Sequence, residues 1–351
     1  MDKGPVADEM STYEARAWEQ SLRRLHEPPA KRLVPQQVRD AAGSAYQHVS
    51  HFADNNLPAQ QIKDIAEKGM NGAFELTFVP ALRSASVDNA VKGYRKKYDS
   101  VEALEDIRQL DVREIDRFRR NKGLYVAGSA VQGGATAVAI TGTTVSATVS
   151  GGTTAGVVVG ALATDAVASL ALMGRTVGSV AVRYGYDVKL PEEELFAMGV
   201  ISLGTATSMQ ARYVALTALS RLTQEMMRQA TWNQLNRHAL VRVLQQVFKM
   251  LGLRLTHRKL AQAVPFAGVA IAGTMNANLT RTLYQRADDI YRIRFLTEKY
   301  GLSTEDWVPG VVAEEDVEQT TEPVVDIMEL IDEERAIESG NKADPDEGDP
   351  R

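Results

Sequence analysis

Apolar residues recur every three to four positions along most of the chain, and no stretch before Gly123 alternates with the period of two that marks a half-buried strand. The pattern predicts a succession of helices. Ser11 and Glu14 have capping-box spacing and open a helix that Pro28 and Pro29 stop. Pro35 opens another, with Val38, Ala41, Ala42, Ala45, Tyr46 and Val49 on one face, and residues 54–58 read as a loop. Further helices are expected over 59–72, 86–98 and 100–121. In the second half, Gly185 is placed to end a helix in the left-handed conformation. Pro191 starts an amphipathic helix over 191–208, with Glu192, Glu193 and Glu194 complementing its dipole. Helices over 209–230, 232–251 and 257–264 follow, then a small-residue helix after Pro265 that merges into a long amphipathic helix ending at Gly301. The fold class is all-α, a multi-helix bundle.

One segment breaks the amphipathic rhythm. Gly123 to Thr164, 42 residues, contains no Asp, Glu, Lys, Arg or His and is rich in Gly, Ala, Thr and Val. Gly152, Gly156 and Gly160 are spaced by four, so they share a helix face that another backbone can approach closely. Two arms, 124–146 and 154–174, make an apolar helical hairpin within 123–182, each arm near the ~20 residues that cross a bilayer. Arg117, Arg119, Arg120 and Lys122 before it, and Arg175 and Arg183 after it, place both ends on the cytoplasmic side by the positive-inside rule. Against spanning stand the weak hydrophobicity of Gly and Thr and the charge of Asp165, which costs roughly 2.5–3.5 kcal/mol at a bilayer centre. A hairpin that dips into the surface, and one packed permanently inside a soluble bundle, are the competing readings.

Charge divides the chain. Residues 303–351 hold 17 acidic and 3 basic side chains, whereas residues 1–302 hold 28 and 37, so a basic body carries an acidic tail. The tail's composition predicts disorder. Within it, Val324, Ile327, Met328 and Ile331 have helical spacing, which fits a transient helix or a docking motif in residues 324–337, for a protein partner's groove or for the basic body. Cysteine is absent, which excludes disulfides, thiolate metal sites and cysteine nucleophiles. The polar N-terminus lacks the apolar run of a signal peptide.

Catalytic signatures are missing: no Gly-Lys dipeptide, no Gly-x-Gly-x-x-Gly, no Gly-x-Ser-x-Gly and no His-Glu-x-x-His. No catalytic, cofactor or metal residues are assigned. His48 and His51, at i, i+3, lack carboxylates at ligand spacing, and His238 and His257 read as surface residues. The candidate functional polar residues are Asp165, proton-sensitive or paired with Arg175 or a later arginine; Tyr184; Asp187, in the approach to the helix at Pro191; and Asn276 and Asn278 on a small-residue helix with Gly268 and Gly273. Arg237, Arg242, Lys249, Arg254, Arg258 and Lys259 could track phosphates. Sparse aromatics disfavour nucleic acid, anionic lipid headgroups, at roughly 1 kcal/mol per basic residue, fit better, and a plain solvated face stands as an equal alternative.

Several ordered features resemble the EcsC protein family of bacteria. They are Thr164-Asp165-Ala166 with Arg175, Tyr184-Gly185-Tyr186-Asp187 with Pro191-Glu192-Glu193, Leu260 to Pro265 with Gly268, Gly273 and Asn276, and the helix bearing Ala287, Tyr291, Arg292, Phe295 and Leu296. The resemblance spans roughly residues 15–302 and leaves out the tail. It implies a largely helical, membrane-associated bacterial protein with no established reaction. The expected organisation is a disordered 1–10, a helical region 11–122, an EcsC-like core 123–302 and an acidic disordered tail 303–351. The expected function is a non-catalytic accessory or scaffold protein on the cytoplasmic side of a membrane, linked to transport or secretion. The alternatives are a hydrolase acting on lipid or peptide near Asp165, Asn276 and Tyr184, and a soluble helical interaction module.

Overall fold

The computed structural model describes residues 10–27, 73–120, 154–206, 208–228, 237–260, 268–308 and 326–342. Among these residues every regular element is helical: α1 (Thr12–His26), a π-helical turn (Phe74–Phe78) running into α2 (Val79–Leu82), α3 (Val87–Arg95), α4 (Val112–Arg120), α5 (Thr154–Arg183), α6 (Pro191–Thr205), α7 (Met209–Arg228), α8 (Arg237–Leu260), α9 (Gly268–Tyr300) and α10 (Ile327–Lys342), with 3-10 turns at Glu105–Gln109 and Glu305–Trp307. The all-α bundle expected from periodicity is the observed class. The segments expected at 35–49, 54–58, 59–72 and 124–146 lie outside the described residues, as does Gly152.

The centre of the bundle is the mutual packing of α5, α6 and α9. α8 lies on α5 and α6, α7 on α6, α1 on α9 and α2 on α5. One hydrophobic cluster runs from Ala17 to Ile331 and includes Phe78, Leu82, Val177, Phe196, Leu219, Phe248, Tyr291 and Trp307. The sequence-level punctuation works as expected at three places. Ser11 and Glu14 form the capping box of α1, with Glu14 N–H donating to Ser11 Oγ at 3.2 Å and Ser11 N–H to Glu14 Oε2 at 3.3 Å. Gly185, at φ 85°, closes α5, and Tyr186 N–H and Gly185 N–H reach back to the carbonyls of Ala181 and Val182. Pro191 occupies the first turn of α6.

Elsewhere the structure corrects the expectation. The helix expected over 100–121 is broken. Asp106 accepts hydrogen bonds from the backbone N–H of Glu102 and Ala103 at 2.8 and 2.7 Å, holding a turn, and α4 starts afresh where Asp111 accepts from Arg113 N–H at 2.7 Å and Glu114 from Asp111 N–H at 3.0 Å. The helices expected at 232–251 and 257–264 are one, α8; Gly252 is an isolated interior glycine, which weakens a helix by about 1 kcal/mol without ending it. The helix at Pro191 is not amphipathic, because Glu193 to Thr205 are all buried. The long helix α9 is likewise enclosed by protein from Ala287 to Thr297, charged residues included.

Of the expected apolar hairpin, the described residues contain the second arm. This arm belongs to the 30-residue α5, and from Val167 onward that helix is core: Val167, Leu170, Met173, Val177, Val180 and Val182 are buried. Gly174 and Gly178 explain the depth. A Cβ on Gly174 would press on the Phe78 ring at 2.9 Å, and one on Gly178 would collide with the Leu82 carbonyl oxygen. The small-residue spacing read at Gly152, Gly156 and Gly160 thus has a counterpart one helix segment later, where it receives α2. Among the described residues no helix is long and apolar enough to cross a membrane.

The tail is not wholly disordered. Trp307 is fully buried, its indole N–H donating to Thr297 Oγ1 at 3.1 Å, and α10 lies against α7 and α8 with Ile327, Met328 and Ile331 buried. Their helical spacing supplies the apolar stripe that composition alone obscured.

Candidate functional site

A cleft of about 520 Å³ opens between α1, α4 and α9. From α1 it is lined by Tyr13, Arg16, Ala17, Gln20 and Arg24, which recur at helical spacing. Asp116 comes from α4, and Gln285, Asp288, Asp289 and Arg292 come from α9. The capping box of α1 and the restart of α4 at Asp111 orient the outer walls, while enclosure of α9 fixes the floor.

Charges on the floor are paired throughout. Arg292 Nη2 donates to Asp116 Oδ1 at 2.8 Å and to Asp288 Oδ2 at 3.1 Å. Arg183, from the end of α5, bonds Asp288 and donates to the Tyr284 hydroxyl at 2.6 Å. The Tyr184 hydroxyl donates to Asp288 Oδ1 at 3.1 Å, and the Tyr13 hydroxyl to Asp116 Oδ2 at 2.7 Å. Asp289 binds Arg24 and accepts from the Ser21 hydroxyl at 3.2 Å. Burial opposes the charge on Arg183 and Arg292, yet the carboxylates around them raise both guanidinium pKa values above the ordinary range. Burial pushes the Asp289 carboxyl up, with Arg24 working against it. Burial and the Asp288 charge push the Tyr184 hydroxyl up, so it remains a donor.

Two further networks continue along α9. Arg294 makes a two-pronged bond to Glu193 at 2.6 and 2.7 Å and also reaches Glu298 at 2.7 Å. Its guanidinium lies over the rings of Tyr186 and Phe196, 4.1 and 4.3 Å from their centroids. At the end of α9, Lys299 and Tyr300 donate to Glu14 at 2.9 and 2.7 Å. Burial pushes the Glu14 carboxyl up, but these two bonds and the lysine charge more than offset it, leaving the carboxyl below its ordinary range.

The sequence-predicted residues divide sharply. Tyr184 belongs to the network at the cleft floor. Asp187 sits in the approach turn to α6, its carboxylate accepting from Lys189 N–H at 3.0 Å. Arg175 lies half-buried on α5, ten residues from Asp165 on one continuous helix, hence roughly 15 Å along the axis, which rules out their pairing. Asn276 and Asn278 precede Asp288 on α9 by roughly 18 and 15 Å, and Asp165 precedes Arg183 by roughly 27 Å. Tyr184, just past the end of α5, thus stands about five helical turns from Asp165 along that axis. Gly156 and Gly160 fall on the first half of α5, and Gly268 and Gly273 on the first turns of α9.

The residues that sequence reasoning missed are Arg24, Asp116, Asp288, Asp289, Arg294 and Glu193. Their one available signal was i, i+4 pairing, Asp288 with Arg292 and Arg294 with Glu298, inside a run otherwise apolar. Chemically the cleft offers hydrogen bonds and charge. The Ser21 hydroxyl faces a carboxylate, and the His26 ring bonds the Trp307 carbonyl at 2.8 Å. Among the described residues no three His, Asp or Glu side chains are placed to share a metal ion.

These features define a class: an all-helical bundle whose interior is organised by arginine–carboxylate networks strung along one central helix. The chain belongs to the EcsC protein family, whose sequence profile matches residues 6–296, from ahead of α1 to the last turns of α9. No curated protein and no solved structure matches it.

Proposed function

We propose that this EcsC-family protein is a non-catalytic, membrane-associated accessory or scaffold protein on the cytoplasmic side, whose contact with lipid is made by the uncharged run. The observation that carries the reading is the anchoring of both flanks of that run in one bundle. Before it, Phe118 stacks on Tyr94 at 4.1 Å, and Tyr94 bonds the Arg183 carbonyl at 3.0 Å. After it, Val167 enters the core. A charge-free stretch of this length held at both ends by a basic body suits reversible docking on an anionic bilayer. With Val167–Val182 committed to protein contacts, lipid contact falls within 123–166.

Flotation of the intact protein with vesicles of phosphatidylcholine and phosphatidylglycerol tests this. Flotation at low salt that persists in part at high salt is expected, and Val157→Asp with Val159→Asp abolishes it without loss of helicity. Protein that stays at the bottom of the gradient under both conditions refutes the reading. The second reading, a soluble helical interaction module, is favoured by the burial of Val167–Val182 against protein and predicts that second result.

A further inference from the structure

The seat of α10 joins an apolar strip continuous with the core to a rim of paired charges. Its floor is a notch in α6 at Gly199, where a Cβ would stand 3.2 Å from Ile327 Cδ1 and 2.7 Å from a Leu219 methyl. Ile327, Met328 and Ile331 fill the notch and the strip between α7 and α8. Around it the charges interlock. Arg242 of α8 grips the buried Glu334 carboxylate at 2.7 and 3.1 Å. Arg335 of α10 pairs with Glu225 of α7 at 2.6 Å, and Arg221 meets Asp332 at 3.3 Å. The groove thus reads an acidic amphipathic helix: three apolar side chains on one stripe, a carboxylate one turn on, then a base.

Two facts mark α10 as a replaceable occupant. The groove is built by α6, α7 and α8, all within the family-matched residues 6–296, whereas α10 lies outside them. The chain between Val308 and Asp326 is 17 residues long and carries five carboxylates and no base, so α10 is joined to the family-matched body only through an acidic connection. We infer that the α6–α7–α8 groove is a docking site for an acidic amphipathic helix of a partner protein, and that α10 occupies it in cis as a competitor. A tethered occupant raises its own local concentration, so a free helix of equal intrinsic affinity binds only weakly until the tether is outcompeted or α10 is released. Glu225 argues for a protein helix over a lipid surface, because it repels anionic headgroups while it accepts Arg335.

The test uses the full chain and a fluorescent peptide of residues 324–340 as the trans probe. Met328→Asp with Ile331→Asp in the chain releases α10, and peptide affinity rises at least tenfold over wild type. Adding Arg242→Glu to that chain reverses the gain, and a peptide carrying Glu334→Arg recovers it. Should the double substitution fail to fold, Glu334→Arg in the full chain is the milder release and gives the same ordering. Equal peptide binding to wild-type and released chains, or indifference to Arg242→Glu, overturns the inference. So does a wild-type dimer that dissociates on release of α10, which assigns the groove to a second copy's tail. Displacement of the bound peptide from the released chain by phosphatidylglycerol vesicles overturns it as well, because it assigns the groove to lipid.

Discussion

α9 and α10 use the same chemistry in opposite settings. In α9, Arg294 and Glu193 are joined with only 3% and 5% of their side chains exposed; at α10, Arg221 and Asp332 are joined with 52% and 49% exposed. A guanidinium sealed in the core cannot lose its partner without leaving a bare charge in a poorly polarisable interior, so the pair specifies how α6 and α9 register. A pair open to water trades one set of hydrogen bonds for another, so it orients α10 without committing the fold to it. The contrast separates a pair sealed in the core from one at the rim of α10, where Ile327, Met328, Ile331 and Glu334 make the buried part of the contact.

The largest expected effect comes from breaking the sealed pair. Arg294→Met leaves Glu193 uncompensated and lowers unfolding free energy by about 3–5 kcal/mol in denaturant titrations, while Arg294→Met with Glu193→Leu recovers most of that loss. A single-variant loss below about 1 kcal/mol would contradict the assignment. Next is Tyr184→Phe, which removes a buried donor to the charged Asp288 and costs about 1–3 kcal/mol by the same titration. Glu14→Gln sharpens the comparison through pH. The Glu14 carboxyl is held below its ordinary pKa in the folded chain, so its contribution is full above about pH 5, where the unfolded group, with a pKa of about 4.3, is also ionised. It disappears as pH falls through the depressed folded value. The melting difference between wild type and Glu14→Gln therefore shrinks on acidification, and a difference that grows toward low pH reverses the sign of the account. Smallest is Arg221→Ala, expected to change stability by less than about 0.5 kcal/mol, with the change fading as salt increases.

Local grammar was legible and tertiary context was not. Ser11 with Glu14, Gly185 and Pro191 each announced a helix boundary that the structure contains, because capping and backbone restriction are properties of neighbouring residues. The split at 100–121 was missed because Asp106 and Asp111 turn the chain through side-chain bonds that periodicity does not register. Glu193 and Glu194 read as surface acids facing a helix dipole. They are buried, since Arg294 and Arg83 arrive from segments about a hundred residues away in the chain. The close approach argued for glycines four apart also occurs at Gly174 and Gly178, where only the fold reveals that Phe78 and Leu82 are delivered. Of the candidate site, Tyr184 was found through the Tyr-Gly-Tyr-Asp motif, whereas of the acids and arginines of α9 only Arg292 was noted, through the family resemblance.

The central claim is that the helical bundle, whose core takes in α5 from Val167 onward, presents the uncharged run to lipid. Hydrogen exchange of the intact protein, with and without phosphatidylglycerol-containing vesicles, addresses it directly. The account predicts that vesicles slow exchange within 123–166 while the already protected 167–183 is unchanged. Exchange in 123–166 that is indifferent to vesicles, or a change confined to 167–183, would contradict it.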